Sequence, residues 1–225
     1  MTETGRDPFS QLLYPMLSAQ PAVGDDVIRE LARAPLEKSA ESNRLRRELL
    51  AEDGERIVSA AHRMADAFRR GGRVLALGNG GSATSAADLV CELMSPSAGM
   101  QPLPALCLTN DIAIVTAIGN DVSFDDVFVR QIIALARPDD VVVAVSTSGN
   151  SENLVRGLRE ARRRGLHTIA ICGHDGGRMA REDCADHCFI VRSSSVHRIQ
   201  EVQMTLYHLL TELVQRALEG ERICA

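Results

Sequence analysis

Residues 140–146 read DVVVAVS, and residues 147–153 read TSGNSEN. A β-branched run without polar alternation cannot leave one face in water, so 140–146 is predicted to be a strand covered on both sides. The loop that follows is small, polar and rich in hydroxyls. It opens a helical pattern, ENLVRGLREARRRG (152–165), whose basic end and final glycine mark a stop. A buried strand passing through a polar loop into a helix is the repeating unit of a parallel α/β sheet.

The same alternation extends outward in both directions. Upstream lie RVLAL (73–77), leading into SAADLVCELM (85–94), and LPALCL (103–108), leading into DIAIVTAIG (111–119) and DDVFVRQIIALA (125–136). Downstream lie HTIAICG (167–173), HCFIV (187–191) and a closing helix from about Val196 to Leu218. The expected fold class is α/β, a doubly wound five-stranded parallel sheet flanked by helices. Residues 36–70 read as a long amphipathic helix, apolar at Leu45, Leu49, Ile57, Ala61, Met64 and Phe68, and ended by Gly71–Gly72. The first 35 residues carry Pro8, Pro15, Pro21 and Pro35 and one short helical pattern, DDVIRELAR (25–33). They are expected to form a helical extension, 1–35, ahead of a single domain at 36–220, available to a protein partner.

Composition narrows the function classes. Of 225 residues 45% are apolar but only 3% aromatic, so the core is aliphatic. A net charge of -5 argues against direct nucleic-acid or anionic-membrane binding, both of which need concentrated positive charge. The opening MTETGRDPFS has neither the basic nor the apolar region of a signal peptide, and no apolar run is long enough for a membrane helix. The six cysteines lack metal-site spacing and read as reduced thiols, so the expected location is cytoplasmic. Lys38 is the only lysine, which leaves little room for Schiff-base chemistry.

Ligands of doubly wound sheets bind beyond the carboxyl ends of the strands. Two loops there carry polar chemistry: LGNGGSATS (77–85) and STSGNSEN (146–153). In the second, Ser146, Thr147, Ser148 and Ser151 surround Gly149 at a helix start, where free N–H groups and the helix dipole favour an anion. No Walker lysine is present, so a phosphate monoester such as a sugar phosphate fits better than a nucleoside triphosphate. The alternative is a hydroxyl-rich N-cap in which Ser148 or Ser151 merely caps the helix. In the first loop Gly78, Gly80 and Ala83 match the dinucleotide fingerprint G-x-G-x-x-A, but the acidic residue that motif needs comes late, at Asp111.

GNGGSA after the first strand, TAIGNDVSFDDVFVRQ (116–131), STSGNS and RIQE on the last helix together resemble the sugar isomerase (SIS) domain family, nearest its phosphoheptose isomerase branch. The likeness runs from about Leu36 to Leu218. It implies a flavodoxin-like three-layer sandwich, a homotetramer with sites at subunit interfaces, and aldose–ketose isomerisation of sedoheptulose 7-phosphate or a related sugar phosphate, often with zinc. On this resemblance the four hydroxyls form a phosphate cradle; Asn79, Gly80, Gly81, Ser82, Asp121 and Gln200 line the sugar site; and Glu92 is the catalytic glutamate.

Two departures from the pattern stand out. Where the branch carries histidines, this chain has Asp88, one turn before Glu92, and Gln203, three residues after Gln200. Asp88, Glu92, Gln200 and Gln203 offer oxygen ligands only, so no zinc or other cofactor is expected. An amide at Gln203 cannot move a proton. His197, three residues before Gln200, is the candidate replacement imidazole, while His208 is expected to face the core or a helix partner. A second reading follows from these departures: a non-catalytic SIS protein that senses a sugar phosphate or serves as an assembly partner.

Overall fold

The computed structural model describes residues 25–220. Five strands, β1 (Val74–Gly78), β2 (Ala105–Cys107), β3 (Val141–Ser146), β4 (His167–Gly173) and β5 (His187–Val191), form one sheet in the order β2-β1-β3-β4-β5. Every pairing is parallel, with Val74 opposite both Ala105 and Val141, and Val141 opposite His167. This is the expected doubly wound architecture, and the strand order reverses between β1 and β3.

Successive side chains of a strand point to opposite faces. Val74, Ala76, Val141, Val143, Ile169 and Ile171 enter one core, while Leu75, Leu77, Val142, Ala144, Ala170 and Cys172 enter another. The first core is covered by α1 (Asp25–Arg69), α2 (Gly81–Met94) and α7 (Val196–Leu218), through Ile57, Met64, Leu89, Leu93, Leu206 and Leu210. The second is covered by α4 (Val127–Leu135), α5 (Glu152–Arg163) and the short α6 (Gly177–Arg181), through Phe128, Ile132, Leu154, Leu158 and Met179. Burial on both faces explains why β3 had to be apolar at every position.

Two elements differ from the sequence-based expectation. The helical pattern at 25–33 and the one starting at 36 are a single element, since α1 continues through Pro35. Compact units divide at Ala40 and Glu41, and residues 1–24 lie outside the described part, as does most of the proposed partner segment 1–35. The second difference is α3 (Ile112–Asp121), which buries none of its residues although its sequence is predominantly apolar. Ile112 is 76% exposed, and the neighbouring Val122 and Phe124 are 51% and 55% exposed.

Among the described residues no helix is long and apolar enough to cross a membrane.

Candidate functional site

The reversal of strand order opens a crevice between the carboxyl ends of β1 and β3. Both polar loops meet there. Asn79, at the end of β1, and Asn153, in the first turn of α5, exchange two amide hydrogen bonds, 2.9 and 3.0 Å long. Asn153 is buried, so this pair fixes the spacing of the loops. Ser82 is buried in the first turn of α2, close behind Asn79. Gly81 is glycine for a local reason: a Cβ there would meet Gln200 Nε2 at 2.5 Å, so the Gln200 amide lies directly over the start of α2.

The hydroxyl loop is held from within and from behind. Ser146 Oγ accepts from Gly149 N at 3.0 Å, and Ser148 Oγ accepts from Asn150 N at 3.2 Å. Gly149 has φ +63°, and a Cβ on it would collide with the Gly176 carbonyl. Met179 N donates to Gly149 O at 3.0 Å and Arg178 N to Asn150 Oδ1 at 3.0 Å, so the start of α6 braces the cradle. Ser151 stands at the N-cap of α5, yet its side chain makes no capping hydrogen bond. Capping therefore does not account for Ser151. The single acid of that first turn, Glu152, is bonded by Arg156 and also by Arg178, and the two guanidiniums hold its carboxyl below the usual range.

A second polar centre lies on the seam between α2 and α7. His208 Nδ1 is 2.6 Å from Glu92 Oε2, and Tyr207 donates its hydroxyl to Asp88 Oδ2 at 2.7 Å. Consecutive residues of α7 thus reach carboxylates one turn apart on α2. Glu92 and His208 line a cavity of about 460 Å³ with Thr205, Glu212 and Met100. Asp88 lines another of about 510 Å³ with Gly81, Thr84, Gln200, His197 and Tyr207.

These positions bear on three expectations. Of the two places expected for His208, the core or a helix partner, it takes the second: its side chain is 46% exposed and ends on Glu92 of α2. Gln203 is not beside Glu92. It is fully buried beneath the sheet ends, where Nε2 donates to the carbonyls of Ser146 at 3.0 Å and Ile171 at 3.1 Å, leaving Oε1 without a partner. His197 lines the cavity that holds Asp88 and Gln200, and its exposed ring belongs to no pair with Glu92. The imidazole that sequence reading missed was signalled by spacing. Gln200, Met204 and His208 recur every four residues and so share a stripe, whereas Gln203 belongs with the buried Ile199, Val202, Leu206 and Leu210.

Asp121 ends the uncovered helix α3, accepts from Asn120 at 2.7 Å and lines neither seam cavity.

The donor set does not suit zinc as arranged. Among the described residues no three His, Cys, Asp or Glu side chains gather into a ligand group. Asp88 is engaged by Tyr207, and the one imidazole on the seam that reaches a carboxylate is engaged with Glu92. Zinc favours convergent nitrogen or sulfur donors, and this set is mostly oxygen in separate pairs.

The chain belongs to the SIS domain family, whose profile matches residues 39–173. Among its relatives, the phosphoheptose isomerase of Aquifex aeolicus is 46% identical over 162 residues, covering 72% of this chain and 84% of that one. The phosphoheptose isomerase of Nitratidesulfovibrio vulgaris is 41% identical over 190 residues, covering 84% and 90%. Among solved structures, the phosphoheptose isomerase GmhA from Neisseria gonorrhoeae superposes with a TM-score of 0.74 at 36% identity, over 85% of this chain and all of that one.

Proposed function

We propose that this protein is an aldose–ketose isomerase of a phosphorylated sugar, with sedoheptulose 7-phosphate as the leading substrate. The observation that carries the reading is the Glu92–His208 couple at 2.6 Å, opening on a cavity large enough for a sugar. Names of relatives at 41–46% identity point to the heptose. Isomerisation through an enediol needs two proton movements: one between adjacent carbons, one between their oxygens. Glu92 takes the proton from the carbon beside the carbonyl and returns it to the neighbouring carbon. His208, hydrogen-bonded to it, serves the oxygens, since an imidazole both gives and takes a proton near neutral pH. Ser146, Thr147, Ser148 and Ser151 hold the phosphate, and Asn79, Ser82 and Gln200 orient the chain of hydroxyls. No step passes through a metal.

The sensor reading rested on missing imidazoles, and His208 supplies one. We further infer a homo-oligomer, a tetramer on the family pattern, supported by the apolar and uncovered α3, which needs a partner surface. A cytoplasmic location accords with five unpaired thiols among the described residues. The deciding experiment follows sedoheptulose 7-phosphate by NMR with wild-type protein and Glu92→Gln. Turnover that vanishes in the variant supports the assignment, and binding without turnover in the wild type refutes it.

A further inference from the structure

The Asp88–Tyr207 pair is unused by the chemistry described above, although it lies one helical turn from the reacting couple. Tyr207 is 2% exposed, with its ring packed in the core, so its hydroxyl is a donor at a fixed place. Burial and the Asp88 carboxylate both push the phenol pKa upward, so Tyr207 keeps its proton and stays a donor. Asp88 is itself exposed on the rim of the cavity of about 510 Å³. An exposed carboxylate without a partner samples several rotamers; one bound at 2.7 Å through Oδ2 does not. Its second oxygen remains available in a cavity whose other polar walls are Thr84, Ser85, His197, Gln200 and Glu201, groups that bind hydroxyls.

We propose that Tyr207 is a positioning residue, which holds Asp88 as a fixed acceptor for a substrate hydroxyl, and that the seam arranged in this way binds no zinc. The inference rests on the isomerase reading of the seam. Each carboxylate of α2 has its own partner on α7: Tyr207 for Asp88, and His208 for Glu92. Drawing both onto one metal ion would break two hydrogen bonds and leave a set with a single imidazole. A hydrogen bond to a charged group contributes about 1.5–3 kcal/mol, so Tyr207→Phe should weaken sugar-phosphate binding or turnover by roughly tenfold or more.

The test has two arms. In the first, the wild-type protein is titrated calorimetrically with zinc chloride alone; no stoichiometric uptake at micromolar metal is expected, and tight one-to-one binding overturns the proposal. In the second, sedoheptulose 7-phosphate affinity and kcat are measured for Tyr207→Phe, Asp88→Ala and the double variant. Each single change should cost roughly tenfold and the double no more than Asp88→Ala, because the phenol acts only through the carboxylate. Additive losses, or a Tyr207→Phe protein that matches the wild type, overturn it. Asp88 is on the surface, so its variant keeps the test valid if Tyr207→Phe does not fold. Coupling read in affinity stands whether or not the wild type turns over, and absent turnover alone counts against the isomerase reading only.

Discussion

Gln203 Nε2 donates at once to the carbonyls of Ser146 and Ile171, the last residue and the last but two of neighbouring strands. One amide from α7 thus ties the carboxyl end of β3 to β4. The hydroxyl cradle begins at Ser146, so this buried glutamine sets its height.

Removing that amide should therefore act on binding more than on chemistry. For Gln203→Leu the expected loss is about 1–3 kcal/mol of stability, from the two buried hydrogen bonds removed. KM for the sugar phosphate should rise more than kcat falls. Urea denaturation with steady-state kinetics checks this; a large fall in kcat at constant KM would contradict it.

His208→Asn should reduce kcat by roughly 10²–10⁴-fold, the usual span for a lost acid–base group. The side chain is half-exposed, so melting should be nearly unchanged. Comparable turnover in the variant would remove His208 from the proton path.

Ser151 separates capping from anion binding. An N-cap serine lost to alanine costs ~1 kcal/mol. Ser151→Ala should cost well under that, because its hydroxyl makes no cap bond, and should still weaken sugar-phosphate binding. Thermal melts and calorimetric titration give both numbers on one protein.

Stability should also fall in mild acid. Burial lowers the pKa of His167 to about 4 and lowers that of His187, and the rings meet edge to face at 5.1 Å with His167 Nε2 and His187 Nδ1 unpaired. The unfolded imidazoles titrate near ~6.5, so between that value and about 4 the unfolded chain binds more protons than the folded one. Their contribution is present above the unfolded value and is lost as pH falls through this window. Melting temperature against pH should drop there, and His167→Gln should flatten the slope.

Much of this was legible in the chain because it follows from local pattern. DVVVAVS had to be a doubly covered strand, and STSGNSEN had to be a polar loop entering a helix, whatever surrounded them. The loop from Ser146 to Ser151 lies between the carboxyl end of β3 and the start of α5 for the same reason. Pro35 misled: it marked a break where α1 in fact continues.

What the sequence determined by itself is the order of strands and helices and the two polar loops at the sheet's carboxyl end. Only the tertiary structure decided which face of α7 meets which neighbour. Each residue along a helix turns the side-chain direction by about 100°, so Gln203 and His208 differ in destination through the rotation at which α7 docks. Packing of Leu206, Tyr207 and Leu210 against the sheet and α2 sets that rotation. It sends Gln203 under the strands and His208 onto Glu92, a choice that depends on contacts 32 to 116 residues apart in the chain.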